Sequence, residues 1–241
     1  MNLISPVMFW TLIVLLGLAG LVVLIIRNAS QHRKGLVALA EELGFTYEPN
    51  SPELLEQFKN FRLFLPDPDC IHQSAFNVLK GKIESAMVWL FDYHYSIRGS
   101  KFSHDFTICA LRAPVLRLPY FYLRHRWLTE KLGRSSPKKI VIPQSDPSPV
   151  QYVRSEVDFP EDAKFNETFV LHGKEGVLRP LFDVDLRQHL RPIGDIWHTP
   201  STLEGYRDTL MLIAVAPTEQ KDARELINRA MNLLPIFSRR R

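Results

Sequence analysis

Cysteine is scarce in this 241-residue chain. Cys70 and Cys109 are the only two, too few for a disulfide scaffold or a four-cysteine zinc site. The common motifs of catalysis are missing as well. There is no glycine-rich phosphate loop, no His-Glu-x-x-His, no Gly-x-Ser-x-Gly and no Cys-x-x-Cys, and each absence removes a large enzyme class. An excess of one charge is missing from the body of the chain. Six of the 30 basic residues sit at two ends: Arg27, Arg33 and Lys34 near the start, Arg239, Arg240 and Arg241 at the finish. The other 24 face 26 acidic residues. The sequence pI of 9.1 therefore reflects two small basic clusters, not a nucleic-acid surface, which needs basic residues gathered on one face. Hydrophobic residues at 46% and charged residues at 23% exclude wholesale disorder. A mean hydropathy of −0.08 excludes a multi-span membrane protein.

What is present begins with an apolar run. No charged side chain occurs from Met1 to Ile26, and the 20 residues Val7–Ile26 are interrupted only by Thr11, Gly17 and Gly20. At about 1.5 Å per residue these span about 30 Å, the hydrocarbon thickness of a bilayer. A cleaved signal peptide would carry basic residues ahead of the run and a small-residue cleavage site after it; here Arg27, Arg33 and Lys34 follow. The expectation is one N-terminal transmembrane helix in the cell membrane. Basic flanks prefer the cytoplasmic side, which places the N-terminus outside and residues 27–241 in the cytoplasm. Both cysteines would then stay reduced, and the sequons at Asn28 and Asn166 would go unused. The expected layout is an extracytoplasmic stub and transmembrane helix over 1–26, a basic juxtamembrane segment over 27–34, a cytoplasmic domain over 35–238 and a basic tail over 239–241.

Periodicity in the rest predicts an α+β fold, a mainly antiparallel sheet with packed amphipathic helices. Leu36, Leu39, Ala40 and Leu43 mark a helix over Gln31–Leu43, with Gly44 at the position of a C-terminal cap. Ser51 is expected to cap a short helix opened by Pro52. Phe61–Leu65 reads as a strand, ended by Pro66-Asp67-Pro68-Asp69. The clearest β signal is a hairpin of Phe76–Leu79, a turn at Lys80-Gly81-Lys82, and Ile83–Tyr95. On its second strand Trp89, Phe91, Tyr93 and Tyr95 face a core, and Leu90, Asp92, His94 and Ser96 face water. After a turn at Arg98-Gly99-Ser100, Phe106–Arg112 returns beside it, and Leu118–Leu123 is a further strand. Proline and serine crowd residues 133–149 around Lys138–Ile142, a candidate seam between subdomains. Glu167–Leu171 reads as extended and Gly176–Leu190 as one amphipathic helix. Asp195–His198 and Tyr206–Val215 read as strands around a turn over Pro200–Gly205. A last helix opens near Pro217, carries Ala223, Leu226, Ile227, Ala230 and Leu234 on one stripe, and is limited by Pro235.

Several of these segments carry local patterns: Ala38-Glu-Glu-Leu-Gly-Phe-Thr-Tyr47, Phe61-Arg-Leu-Phe64, Asn77-Val-Leu-Lys-Gly81, Phe91-Asp-Tyr93, Leu118-Pro-Tyr-Phe121 and Leu178-Arg-Pro-Leu-Phe182. Together they resemble an uncharacterised family of short bacterial single-pass membrane proteins with a cytoplasmic α+β domain. The resemblance covers most of residues 36–215. It implies no activity and no catalytic residue.

Candidate chemistry is sparse. Asp92, His94 and His104 could form a His/carboxylate general-base site on the central hairpin; the alternative is a polar, solvated sheet face. Asp67, Asp69, Cys70 and His72 are metal-ligand types within six residues, Asp69, Cys70 and His72 foremost, but such close spacing cannot close a tetrahedron unaided. The aromatic row Trp89–Tyr95 could stack bases or sugars, yet it lacks basic neighbours and fits core packing better. Asp183-Val-Asp185 mimics a metal-binding pair of sugar transferases but falls inside an amphipathic helix. The functional expectation is a membrane-anchored module of unassigned activity that binds or scaffolds at the inner face of the membrane. Its partners would be the membrane and a protein, with no nucleic acid and no cofactor. The alternative is a membrane-tethered enzyme using the hairpin site.

Overall fold

Eight strands form one antiparallel sheet: β1 (Thr46–Asn50), β2 (Cys70–Ile83), β3 (Ala86–Ile97), β4 (Ser103–Arg112), β5 (Leu118–His125), β6 (Phe169–Gly173), β7 (Ser201–Arg207) and β8 (Thr209–Val215). Their order is β1-β2-β3-β4-β8-β7-β5-β6. This computed structural model describes residues 6–65, 70–99, 103–126, 156–196, 201–215 and 220–239. The α+β class and the antiparallel sheet are as the alternating pattern implies.

Both faces of the sheet are covered, which is why its central strands carry large apolar residues at successive positions. On the first face Leu79, Leu90, Cys109, Leu111, Phe121, Leu123, Leu203 and Leu212 are buried. They lie under the C-terminal half of α1 (Pro6–Leu43) and under α6 (Gln220–Ser238), with α3 (Ala163–Thr168), α4 (Glu175–Leu181) and α5 (Val184–Ile196) beside them. On the second face Trp89, Phe91, Tyr93, Ile108, Ala110, Met211 and Ile213 meet Leu54 and Phe58 at α2 (Glu53–Gln57), and Phe61 and Phe64 at the following 3-10 turn. The Phe58 ring stacks parallel to Phe91 at 5.9 Å and edge-on to Trp89 at 5.7 Å. Each such buried ring contributes about 1.5–3 kcal/mol by burial alone.

The aromatic row therefore faces a core, as its alternation implies. The opposite row differs from expectation. Leu90 and Asp92 are buried, because α1 lies across them, and only His94 and Ser96 are partly open. Other local expectations also give way to tertiary demands. The β2–β3 turn falls at Glu84–Ser85, where Glu84 takes a left-handed conformation. Gly81 stays in the strand because a Cβ there would lie 2.0 Å from the Phe45 ring. Arg62–Phe64 is a 3-10 turn, not a strand. Pro52 occupies the start of α2 without a side-chain cap, and the Ser51 hydroxyl donates to Glu53 instead, at 2.6 Å. The helix expected over Gly176–Leu190 breaks at Phe182, and Asp183 caps the second piece by accepting from the Leu186 N–H at 2.9 Å. The segment read as a turn over Pro200–Gly205 belongs largely to β7, and α5 runs to Ile196 where a strand was expected. Pro235 lies inside α6. The candidate seam at 133–149 lies outside the described residues.

The expected transmembrane helix is not supported. The apolar run belongs to α1, a 38-residue helix whose C-terminal half packs on the sheet through Leu36, Leu39 and Ala40. Among the described residues no helix is long and apolar enough to cross a membrane. The placement of the N-terminus outside and the domain in the cytoplasm rested on that span and falls with it. So does the membrane-proximal reading of Arg27, Arg33 and Lys34. All three are exposed on α1, with Arg33 5.8 Å from the Tyr47 ring centroid.

Candidate functional site

The residues picked out by spacing do not assemble into one site. Asp92 and His94 share the face under α1, whereas His104 lies opposite Tyr95 in the β3–β4 register and stacks on that ring at 4.9 Å, on the other face. Asp92 is tied into the fold. Its Oδ1 accepts from the Thr107 hydroxyl at 2.9 Å, and its Oδ2 accepts from Asn77 Nδ2 at 2.8 Å and meets His32 Nε2 of α1 at 3.0 Å. A bulge between Phe76 and Leu79, with Asn77 left-handed, aims the Asn77 side chain inward. Bonding to Asp92 raises the pKa of His32 against the opposing effect of burial. His94 Nδ1 meets the exposed Asp105 at 2.7 Å, and burial pushes His104 down. Cys70 and His72 lie on β2, with the Cys70 thiol directed at the His72 carbonyl at 3.4 Å; Asp67 and Asp69 lie outside the described residues. Among the described residues no group of three or more His, Cys, Asp or Glu is placed to hold a metal ion.

A different cluster stands out on the second face, where it passes from the aromatic core onto β7, β5 and β6. Glu204, Tyr122 and His172 lie side by side across these strands. Tyr120 and Arg124 flank Tyr122 on the same side, since side chains two apart on a strand share a face. The Arg62 guanidinium, carried by the 3-10 turn, sits 4.6 Å from the Tyr122 ring centroid, and the Arg62 backbone N–H donates to Glu204 Oε1 at 2.7 Å. Tyr120 packs edge-on against Tyr206 of β7 at 6.4 Å.

Five polar atoms of this strip are buried with no hydrogen-bond partner: Glu204 Oε2, the Tyr120 hydroxyl, Arg124 Nε and both ring nitrogens of His172. Such atoms cost about 1–3 kcal/mol each when neutral, and native structures hold few of them. Tyr120 and Glu204 are close enough to influence one another's ionisation, yet no hydrogen bond of ordinary geometry joins them. Burial pushes the fully buried Glu204 carboxyl up to about 7, against the opposing pull of the Arg62 N–H, Tyr120 and the Arg62 charge. Burial, then the positive charges of Arg62 and Arg124, push His172 down to about 4. Burial also holds Arg124 below, and Tyr120 well above, their ordinary values. Tyr206 leads from the strip into an open cleft of 690 Å³ beside the β7–β8 turn, whose walls include Gln57, Phe61, Arg112, Arg117 and Arg207.

Local pattern does not mark these residues, because the segment around Glu204 reads as a turn and the segment around Arg62 as a strand, whereas they form β7 and a 3-10 turn. The available signal was the alternation Thr202-Leu203-Glu204-Gly205-Tyr206, polar on one side only. Gly205 adds to it: a Cβ there would meet the Phe121 ring at 2.2 Å. No protein-family model matches the chain, and no curated protein matches it significantly.

Proposed function

We propose that the protein is a ligand-binding module and that its ligand seats on the polar strip of β7, β5 and β6. The observation that carries this reading is that, among the described residues, five of the seven unpartnered buried polar atoms gather in one strip, the other two being Gln57 Nε2 and Trp89 Nε1, on a sheet whose remaining second face is packed mainly with apolar side chains. A purely structural face gains nothing from orphaned donors and acceptors; a binding face holds them for a partner, at a cost in stability. The test is the stability of Tyr120→Phe. If the hydroxyl is kept for a ligand, removing it relieves a buried unsatisfied group, and the variant melts higher by about 1 kcal/mol of stability. A loss of similar size would make Tyr120 a structural tie and sink the reading.

A second reading concerns a protein partner. Trp10, Val14, Leu15, Leu16, Leu18, Leu21, Val23 and Leu24 on α1 are each more than half exposed, and exposed apolar patches of this kind mark contact surfaces. Cross-linking the purified chain across a concentration series would test it; a monomer at all concentrations that captures no apolar helical peptide would count against it.

A further inference from the structure

We propose that the basic end of the strip, where Arg62, Arg124 and His172 converge around Tyr122, binds a small oxyanion, the carboxylate or phosphate group of the ligand. This rests on the reading of the strip as the ligand seat, and names the chemistry of what sits there. The placement follows from the sheet. His172 lies directly opposite Tyr122, Arg124 is two residues further along β5 on the same side and opposite Val170, and Arg62 crosses the Tyr122 ring from above. Among the described residues neither guanidinium has a carboxylate within salt-bridge distance. Glu204 is held by the backbone N–H of Arg62, and Glu156, at the margin, pairs with Arg126 at 2.9 Å.

Beyond burial, the Arg62 charge lowers the basicity of Arg124, and both arginines lower His172, so positive charge is concentrated here, offset only from the margin by Glu156. An anion placed among them offsets that repulsion. A guanidinium presents a planar fork that matches two oxygens of a carboxylate or phosphate. His172, neutral near pH 7, supplies one N–H donor, and Arg124 Nε, buried and without a partner, supplies another. The donors present therefore suit an acceptor-rich, negatively charged group. They do not suit a cation, because Glu204, the one carboxylate of the strip among the described residues, is fully buried and already accepts from the Arg62 backbone N–H. The rings of Tyr122, Tyr120 and Tyr206 continue from this end towards the cleft and provide a surface for the rest of the ligand.

The experiment is calorimetric titration of the full chain with inorganic phosphate and, separately, with succinate. It is repeated on Arg62→Gln, Arg124→Gln and, as a control away from both strip and cleft, Arg229→Gln on α6, which pairs with Glu225, with folding of each variant checked by circular dichroism. Saturable binding of at least one probe is expected, weakened about tenfold or more by Arg62→Gln and by Arg124→Gln and unchanged by Arg229→Gln. If either arginine variant fails to fold, His172→Gln serves in its place with the same expectation. Absence of saturable binding by both probes would overturn the proposal, as would binding that survives the substitutions in the strip. A Tyr120→Phe variant that is nevertheless stabilised would then show that the strip is a ligand seat for another chemistry. A destabilised one would remove the underlying reading too.

Discussion

Replacing Glu204 with glutamine separates charge from shape at the most buried polar position of the sheet. The carboxyl is fully buried and titrates near 7 in the folded chain, against 4.5 when unperturbed. Between those values the folded state holds a proton that the unfolded state has released, so stability falls as pH rises. The contribution is fully present below about pH 4.5 and gone above about pH 7. At about 1.4 kcal/mol per unit, the 2.5-unit gap amounts to about 3 kcal/mol. Glutamine fills the same volume and does not titrate. The unfolding free energy of Glu204→Gln minus that of wild type should therefore climb by about 3 kcal/mol between about pH 4.5 and 7.5. Taking the difference cancels every other group, including His172. That imidazole, lowered to about 4, works in the opposite sense: its contribution is present above about 6.5 and lost as pH falls through 4. In wild type the two slopes oppose one another, and in the variant only the rising one remains. Urea unfolding followed by tryptophan fluorescence, at four pH values across this range, measures both curves. A difference that stays constant within about 0.5 kcal/mol would show that Glu204 is ionised in the folded state at all these pH values, and would refute the account of its burial.

Three further outcomes follow from the packing. Phe91→Ala removes a fully buried ring stacked on Phe58 and should cost about 3–5 kcal/mol by denaturant unfolding; His94→Ala, which loses a part-exposed contact to Asp105 and a tilted ring contact to His72, should cost about 0–1 kcal/mol. Asp162→Ala strips the buried Arg187 guanidinium of its buried carboxylate partner at 3.0 Å, leaving only the more exposed Glu161, and a drop of about 3–5 kcal/mol in unfolding free energy is expected. A thiol reagent added to the folded protein should label Cys70 and spare Cys109 until denaturant is added, because Cys109 is fully buried and its thiol is pushed up to about 12 by that burial.

The alternation of Trp89, Phe91, Tyr93 and Tyr95 was enough to orient β3, because side chains two apart on a strand share a face and four aromatic rings in water would be costly. The stripes of α1 and α6 were equally legible: Leu36, Leu39 and Ala40, and Ala223, Leu226, Ile227 and Ala230, are buried as their spacing implies. Local pattern could not show that the opposite face of β3 is covered too. That depends on α1 crossing it, and a single strand holds no record of what lies above it. Asp92 looked solvated for this reason, and its bonds to Thr107, Asn77 and His32 come from β4, β2 and α1. The apolar run of α1 shows the same limit, since a count of uncharged residues describes hydropathy and not the helix into which the run is built.

The polar strip lay further out of reach. Its members come from residues 62, 120–124, 172 and 204, separated by up to 142 positions, and no spacing rule links them. By itself the sequence determined which residues seek burial and with what period, because hydrophobic burial and backbone geometry act over a few residues. Only the tertiary structure decided that Arg62, Tyr120, Arg124, His172 and Glu204 share one desolvated surface, because strand order and the covering of each face arise from contacts between distant parts of the chain.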